Sequence, residues 1–479
     1  MNLRSALAFS FGTRYAATAV NFFSTLILAR LLTPTEIGIY SVGASVIMIA
    51  HTLRDFGMSN YIIQETDLTR DRIRTAFTLT LAVAWTLGLA IYLAAKPISE
   101  FYNEPAVALV MQVMAINFAI IPMGSIGGAI LRREMRFKAL MYIGVASTLV
   151  TSISAVLFVY LGFGFISLAW SAVLGTITSV LGNLVAERKT FLLRPSLLER
   201  QRVLSFSVTS SISSIAYELG HTAPDIILGR TIGMNGAGLF SRAFGYVQLF
   251  ERLLQDALQG VMLPYLSEQF RSGIALRAKL QSAAPHIASI SFFVIGLTAT
   301  LAEPAFAVLF GPQWKEAVPT AQLLCIAMAL RCLSPTLTAA MIASGRMSLV
   351  MRVTIAATSA KFLLLVALSN YGLIYAALGF VGAELLGLGI LLYRCQIANI
   401  FTLTDYFRVS LRALPPAVTS CVFAWATSAH IPLETDFVSQ ALRLVFCGTI
   451  STALWLTLIW LFNIEPKSEL KRLFRRLIH

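Results

Sequence analysis

The chain is a succession of apolar runs, each about 20 residues long and so long enough to carry a helix through the hydrocarbon of a bilayer. They fall near 9–31, 37–57, 75–96, 106–131, 139–161, 163–186, 203–226, 237–259, 283–302, 318–343, 349–369, 372–393, 411–430 and 437–462. In lipid every backbone N–H and C=O must find its partner within the protein, so each run is predicted to be a helix. The expected fold is an all-α polytopic membrane protein with about 14 transmembrane helices. With 57% hydrophobic and 13% charged residues among 479, the chain lacks the polar side chains that the surface of a soluble protein needs.

Charge orients these spans. With the N-terminus in the cytoplasm, roughly 27 lysines and arginines fall on cytoplasmic segments, against Arg30, Lys96, Arg230 and Lys315 outside. Both termini are therefore expected on the cytoplasmic side. The net charge of +14 reads as this bias plus attraction to anionic membrane lipids, and gives no support to a nucleic-acid partner. The first run carries Arg14 and Asn21 and has no small-residue cleavage site, so it is read as a retained helix rather than a signal peptide. Cys325, Cys332, Cys395, Cys421 and Cys447 lie in or beside spans and form no close metal pair, as packing residues would.

The chain also repeats itself. Arg14, Thr18, Asn21 and Thr25 follow the spacing i, i+4, i+7, i+11, and about 200 residues later Ser214, Glu218, His221 and Asp225 do the same. At that offset Leu28, Arg30, Gly38, Tyr40 and Ser41 meet Leu228, Arg230, Gly238, Phe240 and Ser241; further on, FYNEPAVALV at 101–110 resembles FGPQWKEAVP at 310–319. Six spans per repeat is an even number, so the halves are expected to be parallel, related by an axis along the membrane normal. The expected organisation is an N-lobe at 1–186, a basic cytoplasmic linker at 187–202 and a C-lobe at 203–395. A helical hairpin with the basic amphipathic tail KSELKRLFRRLIH follows at 396–479, the tail lying on anionic headgroups.

Ionisable groups at membrane depth are costly and mark polar paths. The seventh span carries Ser207, Ser211, Glu218, His221 and Asp225, with Pro224 expected to kink it. The eighth carries Ser241, Gln248, Arg252, Gln255 and Gln259 on one face, with Arg242, Glu251 and Asp256 adjacent. The second carries Ser41, Ser45, Thr52, Asp55 and Ser59, flanked by His51 and Arg54; Arg331, Lys361 and Glu384 lie in the tenth, eleventh and twelfth. The expected substrate path is lined by Arg14, Thr18, Asn21, Thr25, Arg54, Arg242, Gln248, Arg252, Arg331 and Lys361, with Glu218, His221, Asp225 and Glu384 in coupling or gating. The competing reading of each is a buried ion pair between helices, or a side chain that snorkels to the interface. His221 and Asp225 lack a third ligand, so a metal site is not expected.

There is no GxxxxGK[ST] phosphate loop and hence no ATP motor of the chain's own, and no catalytic constellation stands in a sizeable loop. A carrier is expected, not an enzyme, and no cofactor.

The stretch FGTRYAATAVNFFSTLILARLLTPTEIGIYSVGASV, with DIILGRTIGMNGAGLFSRAFGY, FYNEP and LRREMRFK, resembles the bacterial polysaccharide exporters of the multidrug/oligosaccharidyl-lipid/polysaccharide flippase superfamily. The likeness is to the exopolysaccharide, O-antigen and colanic-acid branch and takes in the whole chain. It implies transfer of undecaprenyl-pyrophosphate-linked oligosaccharide units from the cytoplasmic to the periplasmic leaflet of the inner membrane by alternating access, coupled to a proton or sodium gradient. A polysaccharide polymerase or co-polymerase is the implied protein partner. The resemblance also implies cavity arginines on helices one, two and eight, here Arg14, Arg54 and Arg242 or Arg252, and an acidic residue of helix seven, here Asp225. A multidrug antiporter of the same superfamily is the first alternative, but it would concentrate carboxylates, whereas Arg14, Arg331 and Lys361 offset Glu218, Asp225 and Glu384. A membrane enzyme or a scaffold of glycan assembly is the alternative of another class.

Overall fold

Every predicted span but the tenth falls on a single helix in the computed structural model, which describes residues 3–55, 58–188, 195–430 and 437–461. Within these, the side chains of 3–16, 55, 60, 200–214, 253–261 and 430 are outside the description. Arg14, Asp55, Ser207, Ser211, Ser214, Gln255, Asp256, Gln259 and the basic tail therefore lie outside the described residues or side chains. In chain order the helices are α1 (Leu3–Leu31), α2 (Pro34–Asp55), α3 (Met58–Gln64), α4 (Arg70–Tyr102), α5 (Pro105–Arg133), α6 (Phe137–Tyr160) and α7 (Ile166–Ala186). There follow α8 (Arg200–Thr231), α9 (Gly233–Arg271), α10 (Leu276–Thr300), α11 (Ala302–Leu309), a 3-10 turn (Pro312–Ala317), α12 (Val318–Leu330) and α13 (Ser334–Ala343). The last four are α14 (Met347–Ser369), α15 (Leu373–Ile397), α16 (Leu403–His430) and α17 (Phe437–Leu461).

Among the described residues, 11 spans are long and apolar enough to cross a membrane. The polar-striped helices α1, α8 and α9, of 29, 32 and 39 residues, are long enough to cross as well. Two features depart from the sequence reading. The short helices α3 and α11 were not expected, and the tenth span is broken at residues 331–333 into α12 and α13, where Pro335 opens the second piece. Helix α8, in contrast, runs on through Pro224.

Local chemistry sets the boundaries. Thr33 and Glu36 form a reciprocal capping box at the start of α2: the Thr33 N–H and hydroxyl donate to Glu36 Oε2 at 2.9 and 2.8 Å, and the Glu36 N–H donates to Thr33 Oγ1 at 3.3 Å. Pro34 supplies the first helical residue, which has no intrahelical partner to lose. At FYNEP the chain turns in two residues. Asn103 adopts φ 53° to close α4, and Glu104 accepts from the Ala106 N–H at 3.3 Å to open α5.

Contacts divide the chain into Met1–Gly238 and Leu239–His479. In the first unit α5 packs on α4, α7 and α2; α6 packs on α1 and α7; and α8 packs on α2 and α4. Lipid gives no hydrophobic drive between helices, so close approach of small residues substitutes for it. A Cβ at Gly175 of α7 would fall 1.9 Å from Thr151 Oγ1 of α6, and Ser147 Oγ of α6 donates to Gly175 O at 2.8 Å.

In the second unit Leu280 and Ile287 of α10, Leu337 of α13, Leu388 of α15 and Val409 of α16 share one core with Phe401. Phe293 of α10 stacks on Trp455 of α17 with centroids 4.5 Å apart. Asp405 fixes the entry to α16. It accepts from the Thr402 N–H at 3.0 Å, from Arg277 Nε at 3.0 Å and from Gln281 Nε2 at 2.8 Å, tying α16 to α10.

Candidate functional site

In the first unit the packing of α2 on α8 brings two of the sequence-predicted polar faces together. Ser45 Oγ lies 3.2 Å from Asp225 Oδ2 and 2.8 Å from Ser41 O, so its single proton is shared between a carboxylate and its own helix. One residue beyond Asp225, the Tyr102 hydroxyl donates to Ile226 O at 2.9 Å and holds the end of α4 against α8. Glu218 and His221 stand on the same helix, half-buried, and Glu218 Oε1 is a buried oxygen with no hydrogen-bond partner among the described groups. The His221 ring lies 6.5 Å from that of Tyr217. Thr18, Asn21 and Thr25 are exposed along α1, whereas Ser24 and Leu28 on the same helix are buried.

Arg54 of α2 is buried, with 8% of its surface accessible, and its guanidinium lies 5.9 Å from the centre of the Phe118 ring. His51 stacks on that same ring at 4.5 Å, and Arg54 Nη1 donates to His51 Nδ1 at 2.9 Å. A guanidinium can only donate, so His51 Nδ1 is the acceptor in this contact. Arg54 is thus a cation seated on aromatic surface.

In the second unit, Arg331 stands at the break between α12 and α13. Its Nε lies 3.1 Å from Glu251 Oε1 of α9, and its Nη1 lies 3.4 Å from Glu384 Oε1 of α15. The same Glu384 oxygen is 2.8 Å from Lys361 Nζ of α14, which also sits 4.4 Å from the Phe380 ring centre. Two cations and two carboxylates, with side-chain exposures of 12–23%, cancel in a lattice joining four membrane segments. The sequence reading had named Arg331, Lys361 and Glu384; Glu251 stood there only as a neighbour of the eighth-span stripe.

Arg242 of α9 is held differently. Its guanidinium lies 4.9 Å from the Trp314 ring centre and 5.2 Å from that of Phe310, and its Nε is buried without a hydrogen-bond partner among the described residues. Trp314 is fully buried, and Gly311, at φ 104°, lets FGPQW make the turn. The matching FYNEP segment seats Arg230 over Phe101 at 5.2 Å. The repeat of these segments was visible in the sequence; their use as aromatic seats for arginine was not. Arg252 is exposed and donates to Gln248 Oε1 at 2.9 Å. Hydroxyl, amide and guanidinium groups of this kind suit sugar hydroxyls and phosphate oxygens.

A family model described as polysaccharide biosynthesis protein matches residues 27–319. The chain is 27% identical over 314 residues to the succinoglycan biosynthesis transport protein ExoT of Rhizobium meliloti (strain 1021), a match covering 64% of this chain and 62% of that protein, less than two thirds of the latter's length. It is 24% identical over 433 residues to the lipopolysaccharide biosynthesis protein WzxC of Escherichia coli (strain K12), covering 89% and 84%. Among solved structures the fold is similar to that of the lipid II flippase MurJ in an inward closed conformation, with TM-score 0.76 and 11% identity over 94% of this chain and 98% of the other. It is similar too to an inward-facing MATE multidrug transporter of the MOP superfamily, with TM-score 0.65 and 18% identity over 82% and 95%. The family match runs from the end of α1 to the start of α12 and takes in the helices that carry Arg54, Asp225 and Arg242; the chain belongs to the polysaccharide biosynthesis protein family.

Proposed function

We propose that this protein is a flippase that moves an undecaprenyl-pyrophosphate-linked oligosaccharide unit from the cytoplasmic to the periplasmic leaflet of the bacterial inner membrane, for exopolysaccharide, capsule or O-antigen assembly. The observation that carries the reading is the set of charged and hydroxyl side chains inside membrane helices of a chain in this family, above all Asp225 with Ser45 and the aromatic-seated Arg54 and Arg242. The names of the relatives support it, since they are proteins of succinoglycan transport and lipopolysaccharide biosynthesis.

In this reading Arg14, Thr18, Asn21, Thr25, Arg54, Arg242, Gln248 and Arg252 line the path. The arginines take the pyrophosphate, and hydroxyls and amides take the sugar. Asp225, with Glu218 and His221, couples movement to a proton or sodium gradient. Arg331, Lys361 and Glu384 hold the second unit together and keep its interior neutral. The protein works by alternating access without catalysing a covalent step, both termini are cytoplasmic, and a polymerase or co-polymerase receives the flipped unit.

The test is the surface polysaccharide and the leaflet distribution of the lipid-linked precursor in cells lacking the protein, complemented by wild type, Asp225→Asn or Arg54→Ala. Precursor trapped at the cytoplasmic face, rescued by wild type but not by well-expressed variants, is the expected result. Normal polysaccharide in the deletion strain would sink the reading. Precursor that reaches the periplasmic face without being polymerised would point to an assembly enzyme or scaffold.

A further inference from the structure

Within the first unit, α2 and the opening turn of α9 cross backbone against backbone. A Cβ built on Gly38 would fall 1.8 Å from Met234 O and 3.0 Å from the Gly238 nitrogen. A Cβ built on Gly238 would fall 1.8 Å from Pro34 O and 2.9 Å from the Gly38 nitrogen. The contact is reciprocal: each glycine faces the carbonyl four residues before the other, and the two glycines occupy the same place in the sequence repeat. Neither carbonyl is the far end of a flexible side chain that could swing aside. Each belongs to a helical turn, and Pro34 is fixed by the Thr33–Glu36 capping box. No residue with a Cβ fits either place without displacing one helix from the other.

The face of α2 that begins at Gly38 continues, at i+3 and i+7, through Ser41 and Ser45 to the hydrogen bond with Asp225. The face of α9 that begins at Gly238 continues at i+3, i+10 and i+14 through Ser241, Gln248 and Arg252. The glycine crossing therefore stands at the head of both polar stripes, at the end that the lysine and arginine pattern puts outside.

We infer that Gly38 and Gly238 form the periplasmic closure of the path, a seal made of two backbones with no side chain between them. The inference rests on the transport reading. Closure of this kind needs no side chain to be dehydrated or re-ordered, so the contact can form and part repeatedly at little cost. It also has no tolerance: one methyl group on either glycine holds the seal open and shifts the population toward the outward-open form.

The test uses a variant in which Cys325, Cys332, Cys395, Cys421 and Cys447 are replaced by alanine, carrying a reporter cysteine on the helix opposite the altered glycine. Ser41→Cys is combined with Gly238→Ala, and Ser241→Cys with Gly38→Ala. A membrane-impermeant maleimide supplied from the periplasmic side should label each reporter about tenfold faster than in its glycine parent. Gly144→Ala, at a helical glycine whose added Cβ would meet nothing within 4 Å among the described residues, should leave the rate unchanged. Unchanged labelling in Gly38→Ala and Gly238→Ala, with monodisperse protein at parental level, overturns the inference.

Should the alanine variants fail to accumulate, the crossing is instead bridged in the native-glycine chain by Pro34→Cys and Met234→Cys with a short reducible thiol crosslinker. Lost polymer output, restored by reductant, supports the seal, and undiminished output at full crosslinking overturns it. The maleimide rates do not depend on what is carried. If the flippase reading alone is wrong, deleting the protein leaves polysaccharide normal while the labelling difference persists.

Discussion

Replacing Glu384 by glutamine keeps the shape of the side chain and removes the one charge that holds two cations. At an effective dielectric constant of about 20, unit charges at the Lys361 distance of 2.8 Å attract by roughly 6 kcal/mol, and at the Arg331 distance of 3.4 Å by roughly 5. Desolvation offsets most of this, and breaking a buried pair by removing one partner costs about 3–5 kcal/mol in practice. Glu251 still faces Arg331 at 3.1 Å, so the uncompensated charge falls on Lys361 and the expected loss is about 3 kcal/mol, the lower end of that range. Lys361→Met alone leaves Glu384 paired with Arg331 and should cost about 1–2 kcal/mol. The double variant has no stranded cation and should be no less stable than Glu384→Gln, giving a coupling of at least about 1–2 kcal/mol. The assay is reversible chemical unfolding of the detergent-solubilised protein, run as a double-mutant cycle. Costs that add to within about 0.5 kcal/mol would refute the reasoning and make the lattice a set of independent contacts.

Trp314→Ala should destabilise the purified protein by about 3–5 kcal/mol, since it empties a fully buried site and strips Arg242 of one face; Trp314→Phe should cost less than half as much in the same unfolding assay. Thr33→Ala removes a capping-box partner from the start of α2 and should cost about 1 kcal/mol, read the same way. Asp405→Asn loses the charge that faces Arg277 but can keep the cap on Thr402. A fall of about 1 kcal/mol is expected, held low because Arg277 is partly exposed, and it should shrink further in 1 M salt. Fluorescent-protein fusions at either terminus should glow and alkaline phosphatase fusions there should be inactive, and the reverse pattern would overturn the topology.

The spans were legible because length and apolarity act residue by residue: a run such as 349–369 must become α14 whatever its neighbours do. The break at residues 331–333 was not, although its signal was present. Pro335 has no N–H to offer the Arg331 carbonyl four residues back and its ring crowds that oxygen, and a hydropathy window averages this away. Helical spacing placed Ser45 and Asp225 on polar faces and could not say that the faces touch. The tie between Glu251 and Arg331 was further out of reach, because periodicity along one helix carries no information about its partner in another. The seats of Arg54 and Arg242 were hidden for a related reason: Phe118 and Trp314 read as ordinary apolar residues until the fold sets a guanidinium on their rings.

The four-residue lattice also dictates a schedule for the ribosome and the insertion machinery. Its members emerge in the order Glu251, Arg331, Lys361, Glu384. Arg331, between helical pieces of 13 and 10 residues that are each too short to cross alone, meets a carboxylate already delivered by α9. Lys361 enters with none and must wait for α15, carrying in the meantime an insertion penalty of about 2.5–3.5 kcal/mol for a charge at mid-bilayer. At synthesis rates of about 5–20 residues per second the wait lasts on the order of seconds, and during it the nascent chain is marked by an unneutralised lysine. A chain cut short between α14 and α15 never loses that mark.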